Sequence, residues 1–505
     1  MLLFFSGRKG RQRRLDTGLL LAILVLGWFA GRQAGALEVH WSPYQKLVLL
    51  DDSSDDSEID HRIITVNNTG YQAMIDLRPE HVAAYPERFR PDMRGCSQYD
   101  IPLLLHPNPK TMLVVGAGAG NDAAGGLRHG VERITAVEID PAIIDLGNRY
   151  HPEKPYDSAD VRVVNDDARS YFASCDERFD VISFGLLDSH TQTAMTNARL
   201  DHYVYTIESI QRAKSLLSEG GIMVLTFEAS KPFIADRMAG LLREVFGAEP
   251  ISFRIPYTHY GWGGVMFVAG ALETARQQIA DNSQLSGLIE RWRQDDPVLL
   301  SYTTPITSDD WPYLYLKTPR IPRLFYFLAA LMLLLLIHHH KQLKVRSLIS
   351  RWGRPHWHFF FLGAAFMLLE VQNISKASVV LGNTWWVNAV IISGILIMVL
   401  LANAVAALWP KLPTAPVYAG LCASCVVLYM VDISRFAFLP FITKAVIVGA
   451  VTTVPMFFRS YCKTLCMTFN HEPIFHDRSV QQRVGETPRN SCRFARSTVA
   501  IGDDG

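Results

Sequence analysis

Apolar runs of two kinds divide the chain into two parts. From about residue 40 to residue 320, short apolar runs alternate with amphipathic stretches, whereas long apolar runs dominate residues 321–458. A short run bounded by turn residues predicts a strand, and an amphipathic stretch predicts a helix. Their alternation predicts a parallel sheet with helices on both faces. The predicted strands are 111–115, 133–138, 161–164, 179–184, 221–227 and 264–269, and the predicted helices are 121–129, 141–149, 167–174, 203–217 and 232–246.

A small β unit precedes this α/β pattern. Tyr44–Leu50 and Arg62–Val66 are predicted to be two of its strands. The segment between them, "DDSSDDSEID", has six acidic residues in ten but no fixed ligand spacing. We interpret it as a solvated hairpin tip rather than as a cation site.

The C-terminal apolar runs predict a membrane region with several spans. A helix needs about 20 residues to cross the hydrocarbon core, and several of these runs have that length. The chain is therefore predicted to be a multi-pass membrane protein with lipid as a partner, and the side of the membrane that carries the soluble part stays open. The runs are Pro322–Ile337, His358–Leu369, Trp385–Leu408, Pro413–Val431 and Phe436–Phe458.

Polar residues follow directly on the second of these apolar runs. Glu370, Asn373 and Lys376 lie within "FFFLGAAFMLLEVQNISKASVVLG". Ionisable groups at membrane depth are costly and are often functional. A Glu370–Lys376 contact and exposure at a helix end both fit, and the polar residues around 372–375 favour a break between two helices.

The two ends of the chain differ from the rest. The apolar run Thr17–Gly31 follows a cluster of basic residues and is short for a span, so a signal peptide and a single anchor both stay open. The last segment is polar and lacks periodicity, which predicts a mobile tail. The predicted divisions are an N-terminal segment 1–36, a β unit with connector 37–105, an α/β domain 106–320, a helical region 321–458 and a tail 459–505.

Charge and cysteine content exclude some classes of function. The chain has 49 Lys and Arg against 48 Asp and Glu, a net charge of +1, which argues against a nucleic-acid partner. Seven scattered cysteines show no disulfide framework. Cys422 and Cys425 form a C-x-x-C inside an apolar run without a second pair or a nearby histidine, so no metal site is predicted.

A glycine-rich turn follows the first predicted strand. In "TMLVVGAGAGN", Gly116, Gly118 and Gly120 are spaced by one residue, and Asn121 stands where the dinucleotide fingerprint G-x-G-x-x-G has its third glycine. G-x-G-x-G in this place is typical of nucleoside-sulfonium binders of the S-adenosylmethionine class. The predicted fold is therefore a class I S-adenosylmethionine-type doubly wound sheet.

Acidic residues follow the next two strands. Glu138 and Asp140 end the second strand, where a carboxylate accepts hydrogen bonds from ribose hydroxyls. Asp166 and Asp167 follow the third strand, where one can cap the next helix and the other can accept the adenine amino group. Ligands of such sheets bind at the carboxyl ends of the strands, so these features predict one nucleoside site.

At these residues the chain resembles the spermidine synthase (polyamine aminopropyltransferase) family. The resemblance covers about residues 41–270 and includes "SPYQKLVL", "HPNPKTMLVVGAG" and "DDARSYF"; "GLLDSH", "YVYT" and "SDDWPYLYL" are similar to a membrane-fused branch. It implies S-adenosylmethionine or its decarboxylated form as co-substrate. It also implies that Gln45 contacts this co-substrate, that Glu138 holds the ribose, and that Asp167 with the backbone of Ala168 recognises adenine.

The chain departs from the family pattern at the catalytic positions. Ala119 stands where the family's glycine loop has an aspartate, and Gly185 stands where the loop after the fourth strand has its usual base. The second aspartate of that loop is retained as Asp188. We predict that Asp188 and His190 form an acid–base pair, with a capping or core role as the alternative for His190, and that Asp122 partly replaces the carboxylate missing at Ala119.

Four functions stay open on the sequence alone. The first is a membrane-attached transferase that moves an aminopropyl group to a small acceptor such as a polyamine. The second is an S-adenosylmethionine-dependent methyltransferase, because methyl transfer proceeds largely by positioning. The third is a non-catalytic nucleoside sensor coupled to the helices, and the fourth is a transporter with a regulatory domain. The oligomeric state is not predicted.

Overall fold

The computed structural model describes residues 11–29, 31, 33, 35–51, 62–67, 69–187, 200–340, 352–382, 384–409, 413–437 and 439–469. The predicted hairpin tip, Asp188 and His190 lie outside these residues, apart from Asp51 at the start of the tip.

Eleven strands in the described part of the chain form two sheets. The first sheet is antiparallel, in the order β1-β2-β3-β4, and the second has the order β10-β11-β9-β8-β5-β6-β7. The strands are β1 Ala36–Trp41, β2 Lys46–Asp51, β3 Arg62–Val66, β4 Thr69–Met74, β5 Thr111–Val115, β6 Arg133–Glu138, β7 Val161–Asn165, β8 Phe179–Phe184, β9 Leu217–Phe227, β10 Ile251–Ile255 and β11 Gly264–Gly270.

Strand β5 lies in the interior of the large sheet and pairs in parallel with both β6 and β8. The chain runs from β5 outward through β6 and β7, and then returns to β8 on the other side of β5. The doubly wound sheet predicted from the sequence is confirmed. Its switch point lies between β5 and β8, which is where ligands bind in open sheets of this type.

Three strands were not predicted. β1 has a half-exposed face, β4 contains Gly70, and β10 is an outer strand that pairs with β11 alone. Edge strands have one unpaired side and a mixed polarity, so their apolar signal is weak. The helix predicted at 203–217 is also shorter, because Thr206 caps a helix that begins at Ile207 and β9 begins at Leu217.

Fifteen α-helices lie in the described residues. Those around the large sheet cover both of its faces, as two buried apolar clusters show. The helices are α1 Arg11–Phe29, α2 Pro79–Ala84, α3 Ile101–Leu104, α4 Asn121–Arg128, α5 Pro141–Tyr150, α6 Ala168–Ser174, α7 Ile207–Ser215, α8 Pro232–Phe246, α9 Leu272–Asp281, α10 Ser283–Asp295, α11 Arg323–His338, α12 Arg354–Leu381, α13 Trp385–Leu408, α14 Thr414–Met430 and α15 Phe441–Phe469.

The small sheet packs against the glycine-rich turn and α5. Leu47 and Ile64 are fully buried in one cluster with Ala119 and Ile143. The inward face of the small sheet therefore fixes the position of the turn that follows β5.

Three helices of the described C-terminal region have the length and apolar composition needed to cross a membrane. These are the segments His356–Leu381, Trp385–Leu408 and Phe441–Cys462. The runs in α11 and α14 form shorter apolar helices, and so does Thr17–Phe29 near the N-terminus.

Two predictions for this region are wrong. α12 continues through residues 372–375 without a break, because Asn373 is buried and its Nδ2 donates to the Thr452 carbonyl at 2.6 Å. The amide nitrogen of Asn373 thus has a backbone partner within the helical region, although its Oδ1 is buried without one, and the helix continues past this residue. Residues 459–469, predicted to belong to a tail, are instead part of α15, which continues to Phe469.

Candidate nucleoside and acceptor clefts

The glycine-rich turn after β5 is held by side chains from three directions. The Gly118 amide donates to Glu138 Oε2 at 2.9 Å, and the Ala119 amide donates to Gln72 Oε1 at 3.0 Å. Tyr156 Oη donates to the Gly118 carbonyl at 2.6 Å. Gly118 has φ of +56°, and a Cβ there would lie 2.5 Å from the Gln72 side chain, so glycine is required on both counts.

A first pocket opens at the carboxyl ends of β5, β6 and β7. It contains five of the predicted contacts, namely Gln45, Gly116, Glu138, Asp167 and Ala168. Gly118 and Gly120 shape the turn beside it. Its remaining lining residues are Val137, Ile139, Asp166, Leu187, Leu200, Asp201 and Val204.

Glu138 is buried at the end of β6 and faces this pocket. Its Oε2 accepts from the Gly118 amide and its Oε1 accepts from the Asp140 amide, each at 2.9 Å. Burial raises the pKa of Glu138 to about 7, although both backbone hydrogen bonds act to lower it. The carboxylate therefore supports the turn and presents its remaining lone pairs to the pocket.

Asp140 has a different role from the one predicted. It is fully buried and is absent from the pocket lining. Its Oδ1 accepts from the Ala142 amide and caps α5, and its Oδ2 accepts from Ser42 Oγ at 2.7 Å and from Gln45 Nε2 at 3.1 Å. Asp140 thus ties the small sheet to α5 and orients Gln45 toward the pocket.

Of the two aspartates that follow β7, Asp167 is the one that caps α6. Its Oδ1 accepts from the Ser170 amide at 3.1 Å, and Asp166 Oδ1 accepts from the Asp167 amide at 2.8 Å. Both aspartates line the pocket, and burial raises the pKa of Asp166. The adenine contact through Asp167 and Ala168 stays a prediction.

A second, larger cleft adjoins the first at Gly116. Its volume is about 390 Å³, and it combines two acidic side chains with three aromatic ones. Only Asp122, Gly116 and Gly118 among its lining residues could be identified from the sequence, because the others come from separate segments that share no motif. The lining is Gly70, Gln72, Gln98, Tyr99, Gly116, Gly118, Asp122, Leu186, Glu228, Tyr257, Trp262 and Gly263.

Asp122 lies in this second cleft, close to Gly185. Ser183 Oγ donates to its Oδ1 at 3.1 Å. A Cβ at Gly185 would lie 3.3 Å from Asp122 Oδ2, so the carboxylate borders the space that a side chain at position 185 would enter. Burial raises the pKa of Asp122 to about 6, and the Ser183 hydrogen bond opposes this change.

This geometry corrects the role predicted for Asp122. It lies next to Gly185, the position where the resembling family has its usual base. Ala119 belongs to the apolar cluster under the small sheet and lines neither cleft. The carboxylate of Asp122 is therefore related to the one missing at residue 185 rather than at residue 119.

Comparison with known proteins identifies one family for the central part of the chain. Residues 99–274 match the Spermine/spermidine synthase domain. Polyamine aminopropyltransferase 1 of Pseudomonas aeruginosa is 28% identical over segments that cover 41% of this chain and 72% of that protein. Polyamine aminopropyltransferase 2 of Hyperthermus butylicus is 30% identical over 31% of this chain and 50% of that protein.

Other relatives are matched over shorter parts of their length. The chain spans 38% of the polyamine aminopropyltransferase of Korarchaeum cryptofilum and 42% of that of Pectobacterium atrosepticum. A crystal structure of spermidine synthase in complex with the transition state analogue AdoDATO is 19% identical, with a TM-score of 0.35, over 47% of this chain and 73% of that one. The resemblance to the spermidine synthase family is confirmed for residues 99–274, which match the Spermine/spermidine synthase domain, and the resemblance to a membrane-fused branch stays a prediction.

Proposed function

We propose that this protein transfers an aminopropyl group from decarboxylated S-adenosylmethionine to an amine acceptor. The observation that carries the proposal is the junction of the two clefts at Gly116, with the buried carboxylate of Asp122 in the acceptor cleft. The nucleoside binds in the first pocket and the acceptor binds in the second, so the sulfonium lies between them.

The first pocket has the donor and acceptor groups that an adenosyl sulfonium needs. Glu138 accepts hydrogen bonds from the ribose hydroxyls, and Asp166 or Asp167 accepts one from the adenine amino group. Leu187 packs directly on Gly116, where only a glycine leaves room for its Cδ2, and both residues line the pocket. The sequence match to aminopropyltransferases supports the decarboxylated form as co-substrate.

The second cleft suits a short aliphatic amine. Tyr99, Tyr257 and Trp262 provide apolar and aromatic surface for a methylene chain and a face for an ammonium group. Glu228 is exposed in the same lining and attracts a cationic amine. A diamine such as putrescine therefore fits with one end toward Asp122.

Transfer proceeds by displacement at the carbon bonded to sulfur. The neutral amine nitrogen attacks the propyl carbon, the carbon–sulfur bond breaks, and its electron pair leaves with methylthioadenosine. The new nitrogen–carbon bond makes the amine cationic, and it loses a proton to the Asp122 carboxylate. Positioning of amine and sulfonium in adjoining clefts supplies a further part of the rate.

We also propose that α12, α13 and α15 hold the enzyme in a membrane. Their length and apolar composition support this assignment. Many large apolar side chains on these helices are exposed, among them Leu368, Leu396 and Ile442, which is what lipid contact requires.

Product analysis tests the proposed reaction. The purified full-length protein in detergent, incubated with decarboxylated S-adenosylmethionine and putrescine, is expected to release methylthioadenosine in proportion to the aminopropylated amine. Mass spectrometry of both products measures this. S-adenosylhomocysteine formed from S-adenosylmethionine would identify a methyltransferase, and tight nucleoside binding without either product would identify a sensor; both outcomes contradict the proposal.

The pH dependence of transfer is expected to show the titration of Asp122. Below the pKa of the acceptor, log kcat/KM rises with pH because the amine must be neutral. Below about pH 6 the slope is expected to steepen, because burial raises the pKa of Asp122 and protonation removes the base. Steady-state rates between pH 5 and 9 measure this; an acceptor amine of lower pKa should shift the upper part of the profile and leave the change near pH 6 in place.

A further inference from the structure

The C-terminal helices pack against the wall of the nucleoside pocket. Ala173 of α6 is buried in one apolar cluster with Ile374 and Ala377 of α12. Tyr203 Oη donates to the Ser375 carbonyl at 3.3 Å. Both segments in these contacts contain residues that line the pocket. α6 begins with Ala168, and residues 202–205 include Val204.

One lysine from the helical region contacts the first turn of α6, next to the aspartates of this pocket. Lys444 lies in the first turn of α15 and is 5% exposed. Its Nζ donates to Ser170 Oγ at 3.1 Å. Burial raises the pKa of Asp166, whereas the Lys444 ammonium and the Ser170 hydroxyl both act to lower it.

The position of Lys444 is unfavourable without these partners. The N-terminus of a helix carries a partial positive charge, so a cation in the first turn is destabilised. A buried ammonium also costs several kcal/mol unless it is paired and hydrogen-bonded. The carboxylates of Asp166 and Asp167, together with Ser170, supply the opposite charge and the acceptor at this place.

A second element of the helical region contacts Asp167 itself. Gly382 ends α12 with φ of +79°, and a Cβ there would lie 2.6 Å from the Asp167 Cβ. Asp167 is held from the other side by the Ser170 amide. The cap of α6 is therefore enclosed between its own helix and the end of α12.

We propose that Lys444 and Gly382 are positioning residues for the nucleoside, so that the helical region completes the nucleoside pocket of the soluble domain. Lys444 holds the Ser170 side chain in the first turn of α6, beside the two aspartates, and Gly382 sets the place of Asp167. Nucleoside affinity then depends on how α12 and α15 pack on α6, which couples the membrane helices to the transferase. This inference rests on the proposed function, because it uses the nucleoside pocket defined there.

Replacement of Lys444 tests the charge. In full-length protein in detergent, Lys444→Met is expected to weaken methylthioadenosine binding severalfold, because Ser170 loses its ammonium partner and the cap of α6 is less well held. Lys444→Arg should restore most of the affinity. In the transfer assay, the KM for decarboxylated S-adenosylmethionine should rise while the KM for the amine stays constant, a split that general destabilisation does not produce.

Asn373→Leu is the matched control for a polar contact between the same helices. It removes the hydrogen bond from α12 to the Thr452 carbonyl of α15. Asn373 has no contact with Asp166 or Asp167 in the described structure, so this variant should lower the melting temperature and leave nucleoside affinity within about twofold of the wild type.

Gly382→Ala tests the steric contact with Asp167. It is expected to weaken methylthioadenosine binding severalfold, because the new Cβ displaces Asp167. Gly220→Ala is the matched control, since Gly220 has φ of +80° and no atom within 4 Å of the added Cβ. The control bears the same backbone strain and should bind normally.

Calorimetric titration with methylthioadenosine separates this inference from the proposed function. Weaker binding by Lys444→Met and Gly382→Ala, with normal binding by both controls, supports the inference. Wild-type affinity in correctly folded Lys444→Met and Gly382→Ala overturns it and leaves the proposed function standing. Failure of the wild-type protein to bind the nucleoside overturns both.

Discussion

Asp122→Asn is expected to lower kcat for aminopropyl transfer by about 10²–10⁴-fold, the usual contribution of a general base. Asparagine keeps the oxygen that accepts from Ser183 Oγ, so the local packing survives. Asparagine cannot accept a proton from the amine. The steepening of log kcat/KM below about pH 6 should therefore be absent in this variant. Steady-state kinetics with saturating co-substrate and putrescine measure the effect.

Two further variants decide whether the loss belongs to the carboxylate. Asp180→Asn is the control. Asp180 accepts backbone hydrogen bonds from Lys110 and Thr111 at the amino ends of the parallel strands, away from the clefts at their carboxyl ends. It should affect stability rather than kcat. Adding Gly185→Asp to Asp122→Asn should restore part of the rate, because it returns a carboxylate to the position where the resembling family has its base.

Steric space permits this rescue at some cost. A Cβ at position 185 would lie 3.0 Å from the Gly116 carbonyl oxygen, so the turn must shift by a few tenths of an ångström. A kcat of Asp122→Asn equal to that of the wild type would show that another group, for example Asp188 or His190, accepts the proton.

Glu138→Gln is expected to give the second largest effect, a loss of nucleoside affinity. Above about pH 7, where Glu138 is ionised, charge-assisted hydrogen bonds contribute roughly 1.5–3 kcal/mol each, so losing even one bond to a ribose hydroxyl weakens binding by more than tenfold. The glutamine amide would also face a backbone N–H donor, since both oxygens of Glu138 accept from backbone amides. Calorimetry with methylthioadenosine measures the change.

Tyr156→Phe controls for damage to the turn. It removes the hydrogen bond to the Gly118 carbonyl without removing a pocket residue. We expect it to lower the melting temperature while methylthioadenosine affinity stays within a few-fold of the wild type. Unchanged affinity in a correctly folded Glu138→Gln protein would exclude the ribose contact.

The nucleoside pocket could be predicted because its residues follow consecutive strands. Each strand has a local apolar signal, and parallel strands bring their carboxyl ends to one edge. The turn at Gly116 and the acid at Glu138 were therefore identified without any knowledge of distant contacts. Asp140 was misassigned because a carboxylate two residues after a strand also caps the next helix, and the sequence pattern is the same for both roles.

The acceptor cleft could not be predicted in the same way. Gln72, Gln98, Glu228 and Trp262 come from four separate segments, and no spacing along the chain relates them. The proximity of Asp122 to Gly185 likewise depends on how α4 packs beside β8.

The amino-acid sequence by itself determined the doubly wound sheet, the place of the glycine-rich turn and the presence of long apolar helices, because periodicity and glycine spacing act over a few residues. Tertiary structure decided which buried polar groups have hydrogen-bond or charge partners, and which residues provide them. Asn373 lies inside a continuous helix, where it donates a hydrogen bond to the Thr452 carbonyl. Lys444 is buried where Ser170 accepts its hydrogen bond and Asp166 supplies the opposite charge. The cost of burying a polar or charged group depends on its partners in space, and these come from parts of the chain that a local pattern does not connect.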